Sequence, residues 1–162
     1  MENDESLHAV LEYCDGLPEE RHAAGDVILP EGPGTGRMYI LKRGAIEILH
    51  DGVTVAAVDE PGAILGEMSA LLGTGHTATV RAATDANLYR IDNARQFLKQ
   101  RPEIGSHVAV ILARRLSDAT IYLSDYKRQF AGSPDHFPLV DEVLEILVQR
   151  QSKKKSRPER QG

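Results

Sequence analysis

The 162-residue chain contains no tryptophan and one cysteine, and it has no long run of apolar residues. The single Cys14 excludes an internal disulfide and a thiolate zinc site, because both need several cysteines. No segment approaches the ~18 consecutive apolar residues of a membrane-spanning helix. The first residues are acidic, whereas a secretory signal begins with basic residues. We therefore expect a cytoplasmic protein that does not enter a membrane.

A basic surface is lacking over most of the chain, which has a net charge of −5. Residues 1–20 carry seven acids and no base, whereas residues 151–162 carry five bases and one acid. A DNA-binding domain usually presents a basic face, so we expect no direct DNA binding by the folded part. We predict an acidic helical segment over residues 1–16. The end of the chain has no apolar side chain to bury, which predicts a disordered basic tail over residues 151–162.

Glycine is concentrated in one part of the chain, with ten of the 14 glycines between Gly25 and Gly75. Short runs rich in Val and Ile alternate there with turn signals, and two more runs follow, which predicts six or more strands. Asp51-Gly52 suits a two-residue type I′ hairpin, because glycine accepts a positive φ. Closely spaced strands favour a sandwich or a closed barrel, which protects strand edges. The predicted strands cover residues 27–29, 38–41, 45–49, 53–58, 77–82 and 87–91.

The apolar period changes from two to about 3.6 residues after Asp92, which predicts helices. We expect Asp92 to cap a short helix over 94–100, and Pro102 to begin a long helix within 101–130. Apolar residues recur along the long helix every three or four positions. They are Val108, Leu112, Leu116, Ala119, Leu123, Tyr126 and Phe130.

This apolar stripe is wide enough to pack on its own domain and also on a second copy of the helix. We therefore predict a homodimer through residues 102–130. Packing on its own domain alone is the alternative. The apolar pattern of Leu139–Val148 predicts a further amphipathic helix within residues 131–150.

The strongest functional signal is a cassette in two parts, Gly66–Leu72 and His76–Ala82, whose sequences are GEMSALL and HTATVRA. It resembles the phosphate-binding cassette of the cyclic nucleotide-binding domain family. Four upstream segments resemble the first barrel strands of that family in order and spacing. They are Ala24–Ile28, Glu31-Gly32, Met38–Leu41 and Arg43-Gly44.

The resemblance covers residues 17–130 and implies a mainly β fold with flanking helices. The expected architecture is a double-stranded β-helix, or jelly-roll barrel, over residues 17–100, followed by a long C-terminal helix. The chain is similar to the cAMP receptor protein/Fnr-like sensors of bacteria, in a stand-alone form. Only 32 residues follow Phe130, fewer than the roughly 60–80 that a helix-turn-helix domain needs.

A cyclic phosphate that enters a barrel loses water, so protein donors must replace its hydration. A short helix that begins near Gly66 would direct backbone N–H groups at the phosphate, and glycine lets the backbone approach closely. The resemblance assigns Glu67 to the ribose 2′-hydroxyl, and Thr77 offers a hydroxyl to the phosphate or the base. The predicted nucleotide-binding residues of the cassette are Gly66, Glu67, Met68, Ser69, His76, Thr77 and Ala78. The long helix is expected to close over the base, with Thr120 and Ser124 as polar contacts.

His76 stands where the family usually has an arginine that pairs with the cyclic phosphate. Arginine is permanently charged and binds two oxygens, whereas histidine has an ordinary pKa of ~6.5 and one donor on each ring edge. Loss of the arginine contact is expected to cost about 1.5–3 kcal/mol of binding energy. Strand alternation places Arg81 on the opposite face, so Arg81 is poorly placed to substitute for this arginine. Three interpretations stay open: a cyclic nucleotide pocket in which His76 is a weaker phosphate ligand, a pocket for another anion, and a barrel without a ligand.

We expect a regulatory protein rather than an enzyme, because the sequence has no P-loop, no His-Glu-x-x-His and no Gly-x-Ser-x-Gly. The six histidines are too scattered for a local metal motif, so no metal is expected. The resemblance implies cAMP or cGMP as the ligand, and a signal that passes through the C-terminal helix to an unknown downstream protein partner. The alternative is a degenerate fold that acts as a ligand-free dimerisation or docking module, or that binds another anion.

Overall fold

The computed structural model describes residues 8–132 and 137–149. The predicted basic tail, residues 151–162, lies outside the described residues, as do the first seven residues of the predicted acidic segment. The chain forms two compact units, and the boundary between them lies between Ala109 and Val110.

The first unit contains two four-stranded sheets in which all paired strands are antiparallel. One sheet has the order β1-β8-β3-β6, and the other has the order β2-β7-β4-β5. The predicted mainly β jelly-roll fold with flanking helices is confirmed. The strands are β1 (Glu19–His22), β2 (Val27–Leu29), β3 (Met38–Arg43), β4 (Ile46–His50), β5 (Val53–Val58), β6 (Ile64–Leu65), β7 (Thr79–Ala82) and β8 (Ala86–Ile91).

The core of this unit takes apolar side chains from both sheets. Tyr39 and Leu41 of β3 belong to this cluster together with Ile46 of β4, and each is at most 2% exposed. Alternate residues of a strand face opposite sides, yet Met38 and Ile40 are also fully buried. Strand β3 is therefore covered on both faces, which explains why its first four residues are all apolar.

The hairpin between β4 and β5 has the predicted geometry. Asp51 and Gly52 have φ values of 50° and 77°, as a type I′ turn requires at its two central positions. Strand β7 differs from the prediction at its start, because it begins at Thr79 and not at Thr77. His76 pairs instead with Gly32 in an isolated β-bridge, which ties the start of the predicted strand to the loop after β2.

In the sequence, helices occur before the first strand, between β6 and β7, and after the last strand. They are α1 (residues 8–12), α2 (Glu67–Leu72), α3 (Ala94–Gln100), α4 (Pro102–Gln129) and α5 (Phe137–Gln149). The prediction that Asp92 caps α3 is wrong. The N-cap is Asn93, whose side chain accepts a hydrogen bond from the Gln96 N–H at 3.1 Å, while Asp92 pairs with Arg37 and Arg90. None of the helices within the described ranges is long and apolar enough to cross a bilayer.

Helix α4 runs through the boundary between the two units. Ile104 and Val108 are buried in the first unit, whereas the part of α4 in the second unit carries several exposed apolar side chains. Within the second unit, the Lys127 ammonium pairs with the Asp141 carboxylate and so joins α4 to α5. The exposed large apolar residues of this part of α4 are Val110, Leu116, Ile121 and Tyr122.

Candidate functional site

The cassette begins at Gly66, which is the N-cap of α2 and has a φ of 85°. A Cβ atom at this position would lie 2.8 Å from the Arg37 carbonyl oxygen and 2.8 Å from Leu29 Cδ1. Both the left-handed backbone and the close approach of β3 therefore require glycine. This constraint fixes where α2 starts and hence where Glu67 and Ser69 lie.

Buried polar side chains are concentrated in the cassette. Glu67, Ser69 and His76 are 4%, 8% and 6% exposed, and among the described residues they are the buried polar or charged side chains. Burial of a polar group is unfavourable unless it finds hydrogen-bond partners. The three groups lie within ten residues of sequence, and this segment is the candidate site.

His76 links α2 to the loop after β2 through a chain of hydrogen bonds. The Thr35 backbone N–H lies 3.3 Å from Nε2 of His76, so Nε2 is the acceptor, and Oγ1 of Thr35 lies 2.9 Å from the same nitrogen. Nδ1 then carries the proton and donates to Oγ of Ser69 at 2.7 Å. The Ser69 hydroxyl in turn donates to the Gly66 carbonyl at 3.2 Å. Both ring nitrogens of His76 are thus occupied within the protein.

Burial also sets the charge of this histidine. Removal of the imidazole from water lowers the pKa of His76 below its ordinary value of 6.5, because the charged form loses more hydration than the neutral form. At neutral pH His76 is therefore the neutral hydrogen-bonding partner of Thr35 and Ser69.

The glycine-rich loop at residues 32–36 is part of the same site. The Gly32 N–H donates to the His76 carbonyl at 2.9 Å. A Cβ at Gly75 would lie 2.2 Å from the Gly32 carbonyl oxygen, and a Cβ at Gly34 would lie 2.5 Å from the Thr74 carbonyl oxygen. Two backbone segments at least 40 residues apart at these contacts therefore pack at a distance that only glycine permits.

The remaining predicted cassette residues differ in exposure. Met68 and Thr77 are exposed, and Ala78 is half-buried. The Thr77 carbonyl accepts a hydrogen bond from Nδ1 of His50 at 3.0 Å. Arg81 donates from Nε to the Glu47 carboxylate at 2.6 Å, and this pairing lowers the pKa of Glu47. The Arg81 guanidinium is thus bound to the neighbouring strand β4.

Thr120 and Ser124 lie in the second compact unit and are half-buried. The Thr120 hydroxyl donates to the Leu116 carbonyl at 2.8 Å, which is a bond within α4. Contact of these two residues with a nucleotide base stays a prediction.

Sequence reasoning missed two features of this region. The first is Thr35, which lies in a glycine-rich loop that the sequence indicates only as a connection between strands. The second is the contact between two side chains distant in sequence, His50 and Glu31, in which Nδ1 of His50 lies 2.9 Å from Oε1 of Glu31. The glycines around Thr35 were the available signal for the loop, because closely spaced glycines often accompany close backbone approach. No local spacing connects Glu31 to His50.

Comparison with known proteins identifies the region that holds this site. Residues 19–100 match the family model for the cyclic nucleotide-binding domain. The chain belongs to this family. Its cyclic nucleotide-binding domain contains both sheets and the entire cassette, and it ends with α3.

One curated relative is a protein kinase, and another is the regulatory subunit of a protein kinase. The cGMP-dependent protein kinase egl-4 of Caenorhabditis briggsae is 27% identical over 103 residues, which are 63% of this chain and 14% of the kinase. A cAMP-dependent protein kinase regulatory subunit of Yarrowia lipolytica is 30% identical over 90 residues, which are 56% of this chain and 23% of the subunit. The chain therefore spans less than a quarter of each of these relatives.

A solved structure shows the same fold. The catabolite activator protein of Thermus thermophilus superposes with a TM-score of 0.60 and 25% identity, over 76% of this chain and 59% of that protein. The similarity thus includes more than the cyclic nucleotide-binding domain but less than the whole activator.

Proposed function

We propose that the protein is a regulatory sensor that binds cAMP or cGMP in its cyclic nucleotide-binding domain. The observation that carries the proposal is the concentration of buried Glu67, Ser69 and His76 in the cassette of a domain that belongs to this family. Burial of polar groups in an apolar core is unfavourable unless they are hydrogen-bonded, and a site for a ribose and a phosphate uses such groups.

Each cassette residue has a proposed role. Glu67 accepts a hydrogen bond from the ribose 2′-hydroxyl, as the family resemblance implies. Gly66 and Ser69 face the cyclic phosphate, with Thr77 as a further hydroxyl donor. The flanking positions Met68 and Ala78 complete the pocket wall, and Thr120 and Ser124 are assigned to the base.

His76 has to change its partners in order to hold the phosphate. Its neutral ring accepts hydrogen bonds from Thr35 at Nε2, so this nitrogen can donate to an anion only after it gains a proton. The negative charge of a bound phosphate stabilises the protonated imidazole and so raises the pKa of His76, whereas burial lowers it. Nucleotide binding and protonation of His76 are therefore coupled.

Isothermal titration with cAMP and with cGMP at about pH 8 and 6.5 tests this coupling. Because the free imidazole is neutral and the bound one is protonated, binding takes up a proton, and affinity is expected to rise up to about tenfold for each unit of pH decrease. His76→Gln is the control: glutamine retains a donor and an acceptor but does not titrate, so its affinity should not vary with pH. An affinity for the wild type that is independent of pH would exclude protonated His76 as the phosphate ligand.

A second candidate function is a ligand-free docking or dimerisation module. The observation that favours it is that His76 and Ser69 already satisfy each other and Thr35 without an anion. Millimolar nucleotide distinguishes the two functions, because a ligand that binds only the folded state must raise the melting temperature. Inorganic phosphate in the same assay reveals a pocket for another anion.

The proposed output is a movement of the C-terminal helix that a downstream protein partner recognises. In this proposal residues 17–100 bind the nucleotide and residues 101–130 form a homodimer. The protein would act in the cytoplasm, without direct DNA binding and without enzymatic activity of its own.

The homodimer makes a prediction for α4. Leu116 is exposed on the apolar stripe, whereas Ile121 is exposed about 140° around the helix from it. Leu116→Glu introduces a charge into the proposed interface and is expected to weaken the dimer at least tenfold, which sedimentation velocity measures directly. Ile121→Glu is the matched control and should leave the dimer intact. A monomeric wild type, or equal effects of the two substitutions, would contradict dimerisation through the stripe.

A further inference from the structure

Thr35 of the glycine-rich loop supplies two hydrogen-bond donors to Nε2 of His76. Its backbone N–H lies 3.3 Å from this nitrogen, and its hydroxyl oxygen lies 2.9 Å from it. Thr35 is an exposed residue, whereas His76 is buried. The ring nitrogen that the proposed function assigns to the phosphate is therefore already in contact with an exposed residue that carries two donors.

The two donors of Thr35 fit different states of the imidazole. Oγ1 of Thr35 accepts the Arg37 N–H at 3.2 Å and donates its own hydrogen to Nε2. A hydroxyl can also accept a hydrogen bond, so it suits the ring with or without a proton on this nitrogen. The backbone N–H of Thr35 has no acceptor capacity. It fits Nε2 only while that nitrogen carries no proton.

Protonation of Nε2 brings three donors to one place. The Thr35 hydroxyl can turn to accept the new N–H of His76, but the Thr35 backbone N–H then faces another donor. A donor without an acceptor is unfavourable in a site that is removed from water. One phosphate removes this conflict, because its oxygens accept several hydrogen bonds and its charge strengthens each of them.

The side chains at His76 do not themselves supply this negative charge. The ring nitrogens contact the hydroxyls of Thr35 and Ser69, which are uncharged, and burial lowers the pKa of the imidazole. The charged side chain that α2 adds to the cassette is Glu67, which the proposed function assigns to the ribose. An anion from outside the chain is therefore the acceptor that suits the protonated ring.

Backbone contacts hold Thr35 in place without the help of the imidazole. On one side, a Cβ at Gly34 would lie 2.5 Å from the Thr74 carbonyl oxygen, so the loop packs closely on the cassette. On the other side, the Arg37 guanidinium pairs with Asp92 at 3.2 Å. The two donors of Thr35 are therefore preorganised, and they stay close to the ring when the imidazole changes its partners.

We propose that Thr35 is a further phosphate-binding residue, whose N–H and hydroxyl donate to the same phosphate group as protonated His76. The inference rests on the proposed function, because it adds a ligand to the same site. It makes the glycine-rich loop part of the binding site, so that the cyclic phosphate is bound both by the cassette and by a loop that precedes β3.

Isothermal titration with cAMP and with cGMP at about pH 6.5 tests this role. Thr35→Val removes the hydroxyl and is expected to lower the affinity about tenfold, because a hydrogen bond to a charged group is lost. Thr35→Ser retains the hydroxyl and should bind within about twofold of the wild type.

The matched control is Thr84→Val. The Thr84 hydroxyl also accepts one backbone N–H, from Ala45 at 2.9 Å, and donates to one carbonyl, that of Asp85 at 3.2 Å. Its loss removes the same kinds of hydrogen bond outside the cassette. Thr84→Val should therefore keep the affinity of the wild type, even where its melting temperature falls as far as that of Thr35→Val.

The amide signal of Thr35 supplies a second readout that needs no substitution. In ¹H–¹⁵N spectra of the wild type it is expected to shift when cAMP or cGMP is added, because the N–H exchanges a neutral nitrogen for an anionic oxygen. The Thr84 signal should stay in place.

The outcomes separate this inference from the proposed function. Nucleotide binding by the wild type that Thr35→Val leaves unchanged, or that Thr35→Ser weakens equally, would overturn the role of Thr35 and leave the sensor in place. A gain in affinity in Thr35→Val would also overturn it, because Thr35 would then compete with the phosphate for His76. A wild type that binds neither nucleotide would contradict both.

Discussion

Gly75→Ala is expected to destabilise the cyclic nucleotide-binding domain by about 3 kcal/mol, and so to lower its melting temperature by roughly 10 °C. The new Cβ would lie 2.2 Å from the carbonyl oxygen of Gly32, and the atom that it meets belongs to a backbone segment that cannot rotate away. Relief of this clash must separate the glycine-rich loop from the cassette. The Gly32 N–H would then lose the His76 carbonyl, and Thr35 would move away from the imidazole.

Gly73→Ala is the matched control for this substitution. Gly73 has a φ of 65° at the C-cap of α2, and a Cβ there meets no atom within 4 Å. Its expected cost is about 1 kcal/mol, which arises from the left-handed conformation alone. Thermal unfolding monitored by circular dichroism compares the two variants. Equal destabilisation by both would show that the loop and the cassette do not pack as closely as the structure places them.

The strands could be predicted because their signals are local. The dipeptide Asp51-Gly52 is enough to predict the hairpin turn, and the Val- and Ile-rich runs on either side are enough to predict the strands. The jelly-roll arrangement came from the family resemblance, since strand runs alone also fit a sandwich. The sequence did not indicate which of two adjacent residues caps α3, because Asp and Asn are both good N-cap residues. The structure has Asn93 at this position, since Asp92 forms ion pairs with Arg37 and Arg90.

The site could be predicted only in part, because its partners are distant in sequence. Alternation along the predicted strand places His76 and Val80 on one face, and both are buried, although β7 begins only at Thr79. Nothing in the local pattern indicates that Thr35, 41 residues earlier, bonds to the imidazole. The same limit applies to Glu31 and His50, which only the pairing of hairpin and loop brings together. Residue types therefore predict which side chains need hydrogen-bond or ion-pair partners, whereas the topology of the fold determines which residues become those partners.

His76→Arg is expected to tighten cAMP or cGMP binding roughly ten- to hundredfold and to remove its dependence on pH. Arginine keeps its charge at every pH in question and donates to two phosphate oxygens at once, which is worth about 1.5–3 kcal/mol over a neutral contact. The gain should be largest at about pH 8, where the imidazole of the wild type is neutral. Isothermal titration of both proteins at two pH values measures it.

The same substitution should lower stability while it raises affinity. Arginine has no acceptor, so the Thr35 N–H and hydroxyl lose the nitrogen that they bond in the wild type, at a cost of about 1–2 kcal/mol. His76→Lys separates charge from geometry, because lysine restores the charge without the second donor and should give a smaller gain in affinity. Opposite changes in affinity and melting temperature therefore identify a position that binds the phosphate and also holds the loop. A stable His76→Arg variant that binds no nucleotide would contradict the sensor and favour the docking module, because the charge would then be present in a pocket whose shape no longer admits the ligand.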